Sequence, residues 1–514
     1  MTSPQRQGRW VYLVVILVWA ASSLFARAYG IQFDDTSLIW FWQYLDPEIL
    51  THDLLRGIWL LHSQPPLFNL FLGGVLQLFP GSSTLAFAVI FQGLALGLLI
   101  GMTWLMRRLG VPSWLAALLC ALFAFHPTCL VYTRWLFYTT PIAFLLVASA
   151  VALGALVASG STAAACAFSG LATLLMLSRA IFHPLWLVMV VAIVAPILDR
   201  ATRRKLLAAA VAPLLLSLLW YSKNAAQVGS FGASSWFGMN LRRGWTVTST
   251  SPNRPARTRG RLRGPEAEIS SEEVGALLDR GALPPVWTAN PFAPPEAYRR
   301  FGYFQRSTDP GESLHPAIAA ARKSNGRTNY NHRDYARISR EMLRGDLVVM
   351  REFPWRYLRR VATATIYFLE PGPRSVFGRY DYEPLIRLRN RWNRVLFLDG
   401  WWKLTPTSSV NLLYLLYPAV LIFGATRAFT GSAVTRILHA YISFTIVWFA
   451  ASANLIEIGE NDRMRFEVDP LAIVLLGSAL AWAGRVAWRR MNGRSSAHAA
   501  TPAQAEIVAR ALSG

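Results

Sequence analysis

The chain has 514 residues, of which 54% are hydrophobic, 13% aromatic and only 15% charged. Soluble domains carry about a quarter charged residues, so an ordinary soluble enzyme and a disordered chain are both excluded. The formal net charge is +23, and lysine occurs only at Lys205, Lys223, Lys323 and Lys403, so the positive charge is almost all arginine.

Arginine is shaped for bidentate phosphate contacts. With no nucleic-acid motif in the chain, this charge favours lipid phosphates over nucleic acid. The Ala- and Arg-rich usage also fits a bacterial origin.

A membrane span needs about 20 apolar residues. Such runs fall at roughly 10–29, 84–105, 113–127, 138–158, 163–178, 181–198, 206–222, 408–427, 434–452 and 467–486. The first lacks a convincing cleavage site and is expected to be retained. The apolar run 65–80 is short, opens on Pro65-Pro66, and reads as a helix lying on the membrane surface. Cys120, Cys129 and Cys166 lie in or beside apolar runs, which excludes a disulfide framework and a cysteine-based zinc site.

Ten spans put five arginine-rich clusters on one side. They are Arg6 and Arg9, Arg107 and Arg108, Arg200 to Lys205, Arg427 and Arg436, and Arg485 to Arg494. The positive-inside rule makes that side cytoplasmic. Both termini are then cytoplasmic, in a multi-pass protein of the plasma (inner) membrane.

The expected organisation is a mainly α, polytopic helical membrane protein with about ten transmembrane helices. An N-terminal module spans 1–222 and includes the external loop 30–64 and the surface helix 65–80. A large extracytoplasmic, α-rich mixed region spans 223–407, with 30 Lys and Arg against 16 Asp and Glu. A C-terminal module spans 408–494, followed by a flexible tail at 495–514.

The first external loop opens Gln32-Phe33-Asp34-Asp35-Thr36. Two carboxylates at a membrane boundary are costly to desolvate and mark a function, although a solvated pair ending the helix is the plain alternative. In an extended segment they point opposite ways. One then faces a cavity while the other meets a helix, a metal or a backbone group. Further on comes His62-Ser63-Gln64-Pro65-Pro66-Leu67-Phe68-Asn69. The prolines force an extended stretch and then a helix start. His62 is a candidate for phosphate or metal, or a structural residue.

An acidic pair in the first external loop, followed by a His-x-x-Pro-Pro-Leu segment opening a surface helix, resembles the GT-C glycosyltransferases. The resemblance is closest to the branch that uses polyprenyl-phosphate sugars, including protein O-mannosyltransferases and lipid A aminoarabinose transferases. It covers about residues 10–222 and again 453–475. It implies that the first-loop acidic residue is at the catalytic centre, which makes Asp34 or Asp35 that residue, with Asp34 favoured. The family often has Asp-Glu where this chain has Asp-Asp.

The turn Tyr132-Thr133-Arg134-Trp135 is external on this topology and brings Arg134 near the carboxylates, or supplies interfacial anchors. Some relatives have an acidic residue there; this chain has Arg134, so a second catalytic carboxylate does not carry over. The hairpin Ser178–Pro184 offers Arg179 and His183, four residues apart and able to share a helix face.

Lys223 at the start of the external region sits at headgroup height and suits a phosphate. Trp236, in the small and aromatic stretch Phe231–Asn240, suits sugar stacking or plain packing. Arg356, Arg359 and Arg360 suit a helix on anionic headgroups, or a solvated face. Between 250 and 310, few regular elements are expected.

Before the last span comes Glu457-Ile458-Gly459-Glu460-Asn461-Asp462-Arg463-Met464-Arg465-Phe466-Glu467-Val468-Asp469-Pro470. An extended turn presents Arg463 and Arg465 toward one lipid phosphate, or the arginines and the surrounding carboxylates form a structural salt-bridge network. The resemblance agrees, since relatives have an arginine-containing segment before a Pro-led span near the carrier phosphate.

The resemblance implies sugar transfer from a polyprenyl-phosphate carrier to an acceptor on the external face by inverting displacement, a step of cell-envelope glycosylation. Asp34 serves as base, and Arg463, Arg465 and Lys223 hold the leaving phosphate. His62, Arg134, Arg179 and Trp236 are candidate substrate contacts. The acceptor is a glycolipid, a glycan or a protein. No cofactor is required by the residues, and a divalent ion at Asp35 and His62 is left open. The alternative is a lipid or solute transporter or flippase, for which mid-span charges and inverted repeats are expected. A non-catalytic subunit is the third reading.

Overall fold

The computed structural model describes residues 9–248, 267–305, 315–373, 382–398, 400, 402–405 and 408–498. The parts of the Pro- and Arg-rich stretch at 249–266 and 306–314, and of the tail at 499–514, lie outside those residues. The protein is a polytopic helical membrane protein. Six helices are long and apolar enough to cross a membrane: Trp10–Ala28, Ser83–Arg108, Thr139–Ser159, Arg200–Val228, Ala433–Ile456 and Asp469–Asn492.

Shorter apolar helices at Ser113–Phe125, Thr162–Ser178, Pro184–Ile197 and Leu413–Arg427 fall at the remaining expected spans. Each is shorter than the roughly 20 residues that cross a bilayer unaided. The run at 65–80 forms the helix Pro66–Leu78, with Pro66 in its first turn, where a missing N–H costs nothing.

The N-terminal helices form one bundle. Thr139–Ser159 lies against both Ser83–Arg108 and Thr162–Ser178, and Trp10–Ala28 against Ser113–Phe125. The C-terminal helices close onto the same bundle. Ala433–Ile456 packs on Thr139–Ser159 and Pro184–Val194, while Asp469–His498 packs on Ser83–Arg108.

Histidine followed by proline recurs as a helix start. The His126, His183 and His315 rings each accept, at Nδ1, the backbone N–H two residues on, at 3.2, 3.2 and 3.1 Å. A proline occupies the first helical position each time. Such a cap contributes about 1 kcal/mol and requires the ring proton on Nε2. His126 and His183 therefore have a structural use that the sequence alone does not reveal.

The region 223–407 has its own core, built around Trp236, Trp287, Tyr298, Tyr335 and Met342. Two of its helices, Phe237–Arg243 and Arg333–Glu352, approach closely at Gly238. A Cβ there would lie 1.9 Å from the Ser339 carbonyl oxygen.

Arg356 is held by two bonds to Glu273, at 2.6 and 2.8 Å. Arg360 is fully buried and caps the end of the span Ala433–Ile456 at the Leu455 and Ile456 carbonyls. Of the three arginines expected on headgroups, only Arg359 is exposed.

The same region also grips the first loop. Lys323 donates to the Phe41 and Tyr44 carbonyls at 3.0 and 2.7 Å. Asn325 donates to the Ile39 carbonyl, and the Asn331 side-chain oxygen accepts the N–H groups of His62 and Ser63.

Candidate active site

A cavity of about 1420 Å³ lies where the region 223–407 meets the ends of the spans. The first loop gives it Trp40 to Gln43, and the hairpin after Thr162–Ser178 gives Arg179, Ile181 and His183. The region 223–407 adds Gly229 to Ser234, Trp236, Arg243, Phe292 and Arg340. The span Ala433–Ile456 and the segment after it add Trp448, Ile456 to Glu460, and Arg463. The site thus joins cations, carboxylates, aromatic faces and an apolar membrane-side wall.

Two of its arginines share one aromatic ring. The Arg179 guanidinium carbon is 4.6 Å from the Tyr138 ring centre, and that of Arg463 is 5.8 Å from the same ring and 4.7 Å from Phe137. Arg179 pairs with Glu467 at 2.8 Å, and the Glu467 side chain is fully buried. Burial pushes the Glu467 carboxyl up to about 7, against the pull of Arg179 and Arg463. Arg463 donates twice to Glu460, at 3.1 and 2.8 Å. Arg243 donates to Glu457 at 3.1 Å and stands 3.7 Å from Glu460. Each guanidinium is stacked on an aromatic face and paired with a carboxylate, Arg179 with Glu467 and Arg463 with Glu460, which fixes its orientation.

Arg465 goes elsewhere. The segment is not an extended turn but a helix, Asn461–Phe466. At about 100° per residue, side chains two positions apart diverge. Arg465 is therefore not on the cavity wall. It pairs with Asp469 at 3.1 Å and donates to the Phe368 and Glu370 carbonyls, both at 2.7 Å.

Asp34 and Asp35 also lie off the described wall. Asp34 is buried. Its Oδ1 accepts the Thr36 N–H at 3.0 Å and the Thr36 hydroxyl at 2.6 Å, and its backbone pairs with Trp135. It fixes the turn that leads to Trp40. Asp35 accepts the Thr84 hydroxyl at 2.5 Å, tying the loop to the start of a neighbouring span.

Three more expected contacts are taken up internally. Lys223 donates to the Trp59 and Leu61 carbonyls at 3.1 and 2.6 Å, closing the end of the short helix Leu54–Leu60. His62 is fully buried with its Nδ1 2.9 Å from the Ser235 hydroxyl. Burial, with Lys223 adding to it, pulls the His62 ring down to about 3, so it is neutral and offers a phosphate no charge. Arg134 donates to the Leu130 carbonyl and the Thr133 hydroxyl, both at 3.1 Å, and stands off the wall.

Arg179 and Trp236 do line the cavity. The Trp236 indole is only 2% exposed and donates to the Tyr330 carbonyl. Trp42 and Phe231, at 40% and 65%, are the better exposed aromatic faces. Sequence reading missed Trp40, Trp42, Arg243 and Arg340, and gave no role to Glu457 and Glu460. The clue was present only for the last two, as carboxylates beside two arginines. Among the described residues, no group of three or more His, Cys, Asp or Glu side chains is placed to hold a metal.

Fold and site together define a multi-pass helical membrane protein with a charged, aromatic cavity at one end of its spans. No family model and no curated protein matches the chain. Among solved structures, the apo crystal structure of ArnT from Cupriavidus metallidurans is similar over 86% of this chain and 77% of that one. Identity is 15% and the TM-score 0.29, a likeness too slight to bear on chemistry.

Proposed function

We propose that this chain is an integral-membrane glycosyltransferase. It moves a sugar from a polyprenyl-phosphate carrier to a glycolipid, glycan or protein acceptor on the extracytoplasmic face of the inner membrane. The observation that carries this reading is the Arg179–Tyr138–Arg463 stack on the wall of a cavity that is apolar on its membrane side and aromatic above. Direct displacement at the anomeric carbon builds negative charge on the departing phosphate. Fixed guanidiniums stabilise that charge more than the ground state, which is the differential binding catalysis needs.

In this reading Arg179 and Arg463 hold the leaving phosphate. Trp42 and Phe231 offer faces to the sugar. Asp34, Lys223 and His62 shape the loop and helix ends behind the wall, and Arg465 anchors the segment that carries Arg463. The transporter alternative asks for charge near mid-span, whereas these arginines and glutamates stand at the ends of helices and in their connections.

The test is release of polyprenyl phosphate from undecaprenyl-phosphate sugars by purified protein in nanodiscs. Arg463→Gln is expected to lower the rate by roughly 100-fold or more. Arg465→Gln is expected to lower the melting temperature more than the rate per folded molecule. A folded wild-type protein that releases nothing from any donor contradicts the reading.

A further inference from the structure

Among the described residues lining the cavity, the carboxylates are Glu457 and Glu460, and they are held differently. Glu460 Oε2 takes both bonds from Arg463, and its Oε1 faces Arg243. Burial works to raise its carboxyl, yet Arg463 and Arg243 outweigh burial and hold it below the ordinary range. It is a counter-ion. Glu457 has Oε1 fixed by Arg243 at 3.1 Å, while no hydrogen bond from the described residues reaches Oε2.

The Glu457 side chain is 13% exposed. It stands at the C-terminal end of the span Ala433–Ile456, where Arg360 and Tyr357 grip the last carbonyls. Its backbone is thus anchored, one oxygen is oriented, and the residue lines the cavity.

We infer that Glu457 is the catalytic base of the transfer, an assignment that rests on the glycosyltransferase reading. The acceptor O–H proton passes to Glu457 Oε2. The acceptor oxygen forms the new bond to the anomeric carbon. The bond from that carbon to the phosphate oxygen breaks, and its electron pair stays on the polyprenyl phosphate. The charged groups facing Glu457 are Arg243, Arg360, Arg463 and Glu460. Burial, opposed by Arg243, lifts the Glu457 carboxyl above the ordinary range, which improves it as a base near neutral pH.

The experiment uses the full chain in nanodiscs with undecaprenyl phosphate bearing tritiated glucose, mannose, galactose or arabinose, and a total envelope extract as acceptor. Glu457→Gln lowers kcat by about 100-fold or more, leaves donor KM within about twofold and abolishes the acid limb of the pH profile. Glu457→Asp recovers part of kcat with a displaced limb. Asp34→Asn, whatever its rate, keeps the wild-type limb. Wild-type kcat and limb in Glu457→Gln overturn the assignment, as does loss of the limb in Asp34→Asn instead. If Glu457→Gln does not fold, an undisplaced limb in Glu457→Asp overturns it. A wild type inert on every donor removes the glycosyltransferase reading and this inference with it.

Discussion

Buried charges in this protein are mostly spent on backbone. Lys223, Lys323, Arg360 and Arg465 each close two carbonyls. Those carbonyls belong to helix ends and loops far off in sequence, so no local pattern announces the use. Asp34 shows the same limit. Two adjacent carboxylates after a span do not announce that Asp34 is buried with its Oδ1 accepting the Thr36 N–H and hydroxyl. Arg463 and Arg465 stood out in sequence as a pair aimed at one phosphate, but their divergence follows from helical twist, which a six-residue segment does not advertise.

Asp346 carries a residue-scale prediction. Its Oδ1 accepts from the Trp287 indole at 2.9 Å, and burial pushes its carboxyl up to about 8, against the Trp287 bond and Arg242. The folded state therefore keeps a proton that the unfolded state loses near about pH 4. Its contribution to stability falls as pH rises between those values and levels off above the upper one. Asp346→Asn keeps the indole acceptor and removes the titration. Its melting temperature, followed by tryptophan fluorescence, should fall less on raising pH than that of wild type. Parallel curves would contradict this.

At the scale of elements, the long spans were readable because apolar runs of that length have one cheap solution in lipid. The short helices at Ser113–Phe125 and Pro184–Val194 were placed but their lengths were overestimated. His126-Pro127 and the Ala195–Ile197 turn end them, and a hydropathy run does not register caps. The first loop was not legible as three short helices, Ser37–Trp40, Pro47–His52 and Leu54–Leu60, since contacts from about 320–331 support them.

The contact of Phe237–Arg243 with Arg333–Glu352 depends on one missing side chain. Gly238→Ala puts a Cβ against the Ser339 carbonyl and the Leu343 N–H, both backbone, so the helices must part. A loss of about 1–3 kcal/mol is expected, with a lower melting temperature and a weaker hold on Arg243. An unchanged melting temperature would show that the two helices separate freely.

For the whole molecule, the C-terminal helices close back on the N-terminal bundle, and the region around 320–331 clasps the first loop. The cavity forms where these three meet. Its walls come from positions as far apart as Trp40 and Arg463, a convergence that only tertiary structure supplies.

The central claim is that this cavity holds a lipid-linked sugar phosphate between Arg179 and Arg463. An electron cryo-microscopy map of the protein in nanodiscs with a non-hydrolysable phosphonate analogue of an undecaprenyl-phosphate sugar tests it most directly. The account predicts phosphonate density against both guanidiniums, the sugar toward Trp42 and Glu457, and the lipid leaving past Trp448. Density for the phosphonate beside Asp34 and Arg134, with the cavity empty, would contradict it.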